Sequence, residues 1–284
     1  MYRLLIALAF LPVAAMAQVN PNYDPDYNGD GCHTVADLIP FLQVFGGCVD
    51  TAATWMCGDA LAFDGHQYAT TQVGDQCWFA ENLRSEHYAN GDTIQTNISD
   101  SAWATYPAVG RMAVYGDGDN CLSYALDFDA CDTVPSLTEY GRLYNWYAAT
   151  DERNLCPPGW HVPSDGDWMV LEMAQGMTQD EVEIEGWRGT DQGDQLKSTD
   201  GWYFNQWWDG NGTDSVGFAA LPGGVRYSYG TYGTAGDSGW WWSTNGSFQS
   251  AWYRRLSDDE SGIWRSNTMP FNGMSVRCLR DTEQ

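Results

Sequence analysis

Eight cysteines constrain the possible folds of this chain more than any other feature of its sequence. They are Cys32, Cys48, Cys57, Cys77, Cys121, Cys131, Cys156 and Cys278. An even number of cysteines is typical of an exported protein with a set of disulfides. The sequence contains no Cys-x-x-Cys pair, the spacing that would favour a zinc site. Loop closure favours near neighbours, namely Cys32–Cys48, Cys57–Cys77 and Cys121–Cys131, which leaves Cys156–Cys278. Other connectivities remain open.

The start of the chain predicts export. Arg3 precedes an apolar run over residues 4–15, and Ala15-Met16-Ala17 follows as a small-x-small cleavage site. The run is shorter than the roughly 20 residues that a membrane-spanning helix needs. We therefore expect a signal peptide at 1–17, no transmembrane segment, and an extracellular protein that is either released or associated with the cell surface.

The charge balance excludes some classes of partner. Asp and Glu number 38 against 13 Lys and Arg, which gives a formal net charge of −25. Such a surface repels phosphate backbones and anionic membranes, so we expect no nucleic-acid partner. It suits cations and neutral ligands such as glycans. The 15 Trp, 16 Tyr and 31 Gly predict a loop-rich fold that depends on aromatic packing.

Residues 26–37 fit a twelve-residue calcium loop. Oxygen ligands recur at alternate positions, and Gly31 provides the sharp turn. Calcium prefers this set of hard oxygen ligands. The expected ligands are Asp26, Asn28, Asp30, the carbonyl of Cys32, Thr34 and Asp37.

The end of this loop resembles the dockerin calcium repeat, because Asp37 stands where EF-hands prefer Glu. Residues 38–45 follow with one apolar helical face. Dockerins carry two such units and this chain shows one, so we expect no cohesin-type partner. We expect a calcium loop-helix unit at 18–50, crosslinked by Cys32–Cys48, and a linker at 51–56.

Seven short motifs, together with Trp168, are spread in order over the rest of the chain. They lie at residues 76–83, 140–146, 156–165, 196–198, 217–226, 241–243 and 275–278. On these motifs, residues 57–284 resemble the Fibrobacter succinogenes major paralogous domain. The resemblance implies an α+β, C-type-lectin-like fold with two short helices, a small twisted antiparallel sheet and long loops. It also implies that Cys156–Cys278 closes the domain near its last strand.

Local patterns predict individual elements of this domain. Residues 140–149 are expected to form a short aromatic helix. Ser164 and Asp167 form a capping box, which predicts that a second helix begins there and ends near Gly176. Short β-like runs are expected at 217–221 and 274–279.

No motif in the sequence selects a catalytic site. Hydrolase, metalloprotease and phosphate-binding signatures are absent, and we expect His161 to be a packed or hydrogen-bonding residue. The related formylglycine-generating enzymes use reactive cysteines, of which none is spare if all eight pair. The tripeptides of calcium-dependent sugar lectins are absent as well. We therefore expect the chain not to be an enzyme.

The aromatic stretch between Arg226 and Phe271 remains as a candidate ligand face, because exposed Trp and Tyr stack on sugars and anchor interfaces. Trp241 and Trp242 are expected in the core. The candidate ligand-binding residues are Trp252, Tyr253, Arg254, Trp264, Tyr229 and Tyr232. These residues favour a binding or adhesion protein that recognises a glycan or a protein. The alternatives are an extracellular enzyme acting on polysaccharide and a structural envelope or matrix protein.

Overall fold

A computed structural model describes residues 55–106, 108–118, 120–204 and 209–282. All of them except Trp55 belong to one unit of the chain, Met56–Gln284. The expected signal peptide, the calcium loop with its six ligands and the Cys32–Cys48 pair lie outside the described residues. Within the described part of the chain, no helix is long and apolar enough to cross a membrane.

The unit begins with two hairpins. Strands β1 (Leu61–Phe63) and β2 (His66–Tyr68) are joined by Asp64 and Gly65, whose φ angles of 45° and 77° suit the two-residue turn that Asp-Gly favours. Strands β3 and β4 form the second hairpin, which extends into a four-stranded sheet of order β3-β4-β14-β7. The bounds are β3 (Thr70–Val73), β4 (Gln76–Phe79), β7 (Trp160–His161) and β14 (Leu279–Arg280). The last strand therefore lies beside one of the first.

A six-stranded sheet of order β10-β9-β11-β12-β13-β8 forms the other main layer. Its neighbours are antiparallel except β9 and β11, which run parallel. The bounds are β8 (Gly186–Arg188), β9 (Gly223–Arg226), β10 (Tyr232–Ala235), β11 (Ser238–Gly246), β12 (Ala251–Ser257) and β13 (Glu260–Thr268). Strands β5 (Met112–Val114) and β6 (Arg142–Tyr144) form a separate antiparallel pair.

The helices are short. They are α1 (Asp100–Trp103), α2 (Thr133–Tyr140), α3 (Trp146–Ala149), α4 (Asp165–Ala174), α5 (Gln179–Glu183) and α6 (Gln192–Leu196). Among the described residues only α2 and α4 reach eight residues. The mixture of several sheets with few short helices confirms the α+β class.

The capping box at Ser164 is confirmed. The Ser164 hydroxyl accepts from the N–H of Asp167, whose carboxylate accepts from the N–H of Ser164, so both orphan donors at the start of α4 are satisfied. The prediction of one helix over 140–149 is wrong. Gly141 ends α2 at φ 72°, and the next three residues pair with β5 instead.

The expected β-like runs are formed only in part. Met274 bridges Tyr144, Ser275 bridges Trp241, and β14 begins at Leu279. Residues 217–221 form no strand; they make a single bridge between Ala220 and Lys197.

The three disulfides expected in the large domain are present: Cys57–Cys77, Cys121–Cys131 and Cys156–Cys278. The last one joins segments 122 residues apart, just before β7 and β14. In the chain-entropy model, such a long loop gives the largest stabilisation of the three, on the order of 4–5 kcal/mol. It closes the unit where its beginning and end meet.

Two apolar clusters form the core. One lies between α4 and the six-stranded sheet, where Trp168 and Leu171 pack in the same cluster as Trp241, Leu256 and Ile263. The other gathers aromatic rings from the first half of the unit and from β10. Trp241 and Trp242 are 1% and 0% exposed, as expected of core residues.

A buried charge network also fastens α4 to the six-stranded sheet. Glu172 accepts from Arg188 of β8 and from Arg254 of β12, at 2.5 and 2.6 Å. Asp165 accepts from Arg254 at 2.6 Å and from Arg265 of β13 at 2.7 Å. The buried carboxylates and guanidinium groups therefore satisfy one another, as buried charges must.

Candidate functional site

The register of the six-stranded sheet separates the expected ligand-binding residues onto two faces. Arg255 lies opposite Trp240 on one side and opposite Trp264 on the other, and Trp264 lies opposite Trp187. Residues directly opposite in a ladder point to the same face, so these four side chains form one row across four strands. Trp252 is one residue out of step with Tyr253 and points to the other face.

The row and its neighbour Tyr253 form a connected cluster, which we call the aromatic strip: Trp187, Trp240, Tyr253, Arg255 and Trp264. Trp187 and Trp264 meet edge to face, with ring centroids 5.4 Å apart. Trp240 stacks on Tyr253 at 5.1 Å. Four members are half-buried, and Tyr253 is 7% exposed. The strip is thus partly open to solvent along most of its length.

Arg255 lies at the centre of the strip. Its guanidinium carbon is 5.0 Å from the ring centroid of Trp240 and 5.7 Å from that of Trp187, within the range of cation–π attraction. The same group donates to the hydroxyls of Ser238 and Ser257. Arg255 is therefore held in place by contacts within the sheet.

Two of the indole N–H groups of the strip have hydrogen-bond partners within the protein. The indole N–H of Trp264 donates to the Tyr253 hydroxyl at 3.1 Å, and that of Trp240 donates to Thr234 at 3.1 Å. Burial raises the pKa of Tyr253, so its hydroxyl stays protonated at neutral pH. The strip presents a rigid, mostly apolar surface with one fixed positive charge.

Asp237 lies just before β11, beside Ser238. Burial is the main cause that raises the pKa of its carboxyl to about 6. The hydrogen bond with Ser238 and the charge of Arg255 oppose this rise, and the charges of Asp258 and Asp259 contribute to it. Its buried Oδ1 has no hydrogen-bond partner among the described residues. Because that oxygen is inaccessible to solvent, it does not face an open cleft.

A pair of tyrosines lies in the loop between β9 and β10. Tyr227 and Tyr229 stack in parallel, with ring centroids 5.2 Å apart. Tyr229 is 58% exposed. Burial raises the pKa of Tyr227, and the charge of Arg255 in the strip opposes that rise.

Three of the expected ligand-binding residues are occupied by internal contacts. Arg254 is 1% exposed and binds Asp165 and Glu172, as described above. Tyr232 is 3% exposed and donates to Asp117. Trp252 is half-buried under the guanidinium of Arg265, at 3.9 Å. The structure brings together Tyr253 and Trp264, whereas Tyr229 lies in the loop between β9 and β10 and stacks on Tyr227.

His161 lies in an ion-pair cluster near the C-terminal end. Its Nδ1 is 2.5 Å from Asp281, and its Nε2 is 3.4 Å from Asp167. The hydrogen bond with Asp167 is the largest contribution that raises the pKa of the imidazole. His161 thereby links the segment after β14 to the start of α4, which is a hydrogen-bonding role of the kind expected.

Metal ligation was expected only in residues 26–37, outside the described part. Within residues 55–282, excepting the gaps given above, no group of three His, Cys, Asp or Glu side chains is arranged to hold a metal ion.

Sequence reasoning missed Trp187 and Arg255 as members of the strip, and did not single out Trp240. Alternation along β11 puts Trp240 on the face opposite Trp241 but on the same face as Trp242, which is also buried, so this pattern alone did not mark Trp240. No local signal existed for Trp187, which lies over 70 residues before its neighbour in β13 and joins the strip only through the pairing of β8 with β13.

Comparison with known families finds that the Fibrobacter succinogenes major domain matches residues 71–280, about three quarters of the chain. Comparison with curated proteins and with solved structures found no similar protein in either group.

Proposed function

We propose, from the premise that the chain belongs to the Fibrobacter succinogenes major domain family, that it is a secreted or cell-surface binding protein and not an enzyme. In this proposal its large domain is a C-type-lectin-like module whose ligand face is the aromatic strip. The expected calcium unit at 18–50 acts as a structural spacer.

The strip is the single observation that carries the proposal. Trp and Tyr side chains dominate binding surfaces because they bury much area at little cost in conformational entropy. Here three tryptophans stay half-buried, whereas other tryptophans of the chain, such as Trp78 and Trp202, are fully buried in the core. Their mutual stacking and their internal hydrogen bonds fix them before a ligand arrives, which lowers the entropic cost of binding.

The chemistry of the strip favours a neutral ligand surface. Arg255 is its one charge and is already held by two serine hydroxyls and two rings. The rest of the chain is strongly acidic, which disfavours an anionic ligand. Sugar rings and the apolar patches of a protein both fit such a surface, and the test below separates them.

Three features support the lectin-like and extracellular parts of the proposal. Two of the described helices, α2 and α4, are longer than the others, and the last strand lies beside β4. The Cys156–Cys278 disulfide closes the unit there. Three disulfides in one domain are typical of proteins that leave the reducing cytoplasm.

The test is a binding screen of the full chain against immobilised polysaccharides and purified envelope proteins, with calcium and with a chelator. Because the strip contains no metal ligand, we expect binding to one panel and no loss of it with the chelator. Binding that disappears with the chelator would move the ligand site to residues 26–37. No binding to either panel would contradict the proposal and favour a structural role.

A further inference from the structure

A cavity of about 380 Å³ opens between α2 and the loop that the Cys121–Cys131 disulfide closes. Its volume falls in the range of about 300–1,000 Å³ that is usual for small-ligand sites. None of its lining residues belongs to the aromatic strip, so it is separate from the ligand face proposed above.

One wall of the cavity is apolar. Leu126, Phe128, Pro135 and Leu221 line it. Leu126 is 50% exposed. The ring of Phe128 packs against that of Tyr140, with centroids 5.3 Å apart. An aliphatic chain entering the cavity would cover this surface, which water otherwise contacts.

Three carboxyl groups line the same cavity: Asp127, Glu139 and Asp200. Each belongs to an exposed residue, and none has a hydrogen bond or ion pair with any other described residue. No Lys or Arg lines the cavity. Its negative charge is therefore not neutralised from within the described part of the chain.

Tyr140 adds a second, independent feature. Its residue is 2% exposed, and its hydroxyl has no hydrogen-bond partner among the described residues. Burial raises the pKa of this hydroxyl, and Tyr115 and the charges of Glu139 and Asp127 raise it as well. The hydroxyl is not among the oxygens sealed from solvent, and Tyr140 lines the cavity, so water or a ligand group in the cavity reaches it.

A metal ion does not fit this arrangement. Among the described residues, no three acidic side chains converge closely enough to hold one. Separated carboxylates beside an apolar wall instead match a larger cation that carries its own apolar part.

We propose that this cavity binds an organic cation, an ammonium or guanidinium group on an apolar stem. The carboxylates of Asp127, Glu139 and Asp200 surround the charge, the Tyr140 hydroxyl accepts a hydrogen bond from it, and Leu126 and Phe128 cover the stem. Lysine or arginine side chains and free alkylamines share this chemistry.

The test is calorimetric titration of the full chain with Nα-acetyl-lysine methylamide and, separately, with hexylamine. The norleucine analogue of the first probe is the uncharged control. We expect saturable binding of the cations that weakens with added salt, and no binding of the norleucine probe. Tighter binding of the lysine probe would indicate a peptide-borne side chain, whereas equal or tighter binding of hexylamine would indicate a free amine.

The variants separate the cavity from general charge attraction. Asp127→Asn with Glu139→Gln should weaken binding about tenfold. Tyr140→Phe should weaken it about threefold and leave the melting temperature unchanged. The matched control is Glu185→Gln, an exposed glutamate outside the cavity. Equal binding of the norleucine probe, undiminished binding by the double variant, or no saturable binding of either cation would overturn the proposal.

Discussion

The side chains of the aromatic strip hold one another, and those on the other face of the sheet hold the core. Trp264 donates to Tyr253, and Arg255 lies between two rings, so each outer side chain is fixed by its neighbours. Trp252 instead covers the guanidinium of Arg265, which binds Asp165 in the buried network. Trp252 and Trp264 therefore differ in role, although the sequence alone does not distinguish them.

Asp237 gives a prediction that depends on pH. Burial raises the pKa of its carboxyl from 3.8 to about 6 in the folded protein. The folded chain therefore keeps a proton that the unfolded chain releases between about pH 4 and 6. The free energy of unfolding contributed by this group falls as the pH rises through that window.

Asp237→Asn removes the ionisation, so we expect the variant to melt at a higher temperature than the wild type at pH 7 and at nearly the same temperature at pH 4. Thermal unfolding at both pH values measures this difference. Asp180→Asn, a change at an exposed aspartate on α5, is the control and should show no such trend. A stabilisation by Asp237→Asn of equal size at both pH values would contradict the assignment.

At the scale of elements, the helix with local signals at both ends was predictable, and the aromatic helix was not. The capping box at Ser164 and the glycine at 176, which has a φ of 104°, were sufficient to place the start and the end of α4. The aromatic run after Tyr140 has no helix breaker except Gly141, and whether that glycine adopts a positive φ depends on the pairing of β6 with β5. That pairing joins segments about 30 residues apart, which local periodicity does not register.

Glu172 tests how α4 is fastened to the sheet. Its side chain is 0% exposed and accepts from two arginines, Arg188 and Arg254. Glu172→Gln keeps the shape but leaves the buried guanidinium of Arg188 without a carboxylate and that of Arg254 with Asp165 alone. We therefore expect a loss of about 3–5 kcal/mol in the free energy of unfolding. Urea denaturation measures it, with Glu185→Gln as the exposed control. A loss below about 1 kcal/mol would show that the network is not needed for stability.

At the scale of the whole molecule, the fold class and the three disulfides among the described residues agree with the sequence predictions, whereas the proposed ligand face could be outlined only with the structure. Cysteine spacing favoured pairing Cys57 with Cys77 and Cys121 with Cys131, and both bonds are present. The face depends on register, because a shift by one residue along β12 exchanges Trp252 for Tyr253. Register is decided by packing across the whole sheet, and Trp187 enters only through that packing.

The most direct test of the account compares two tryptophan variants of the full chain. On the polysaccharide or envelope protein that binds in the screen, Trp264→Ala is expected to weaken binding at least tenfold, because interface tryptophans are among the strongest contributors to affinity. Its melting temperature should fall by only a few degrees, since the side chain is half-buried. Trp252→Ala is the matched control.

Trp252→Ala uncovers Arg265, so it should lower the free energy of unfolding by about 2 kcal/mol and leave the affinity of the folded protein unchanged. Binding affinity and melting temperature measured together on both variants decide the matter. The account predicts that affinity is lost only with Trp264 and that the larger loss of stability comes with Trp252. Unchanged binding by Trp264→Ala, or equal loss of binding in both variants, would contradict the assignment of the aromatic strip as the ligand face.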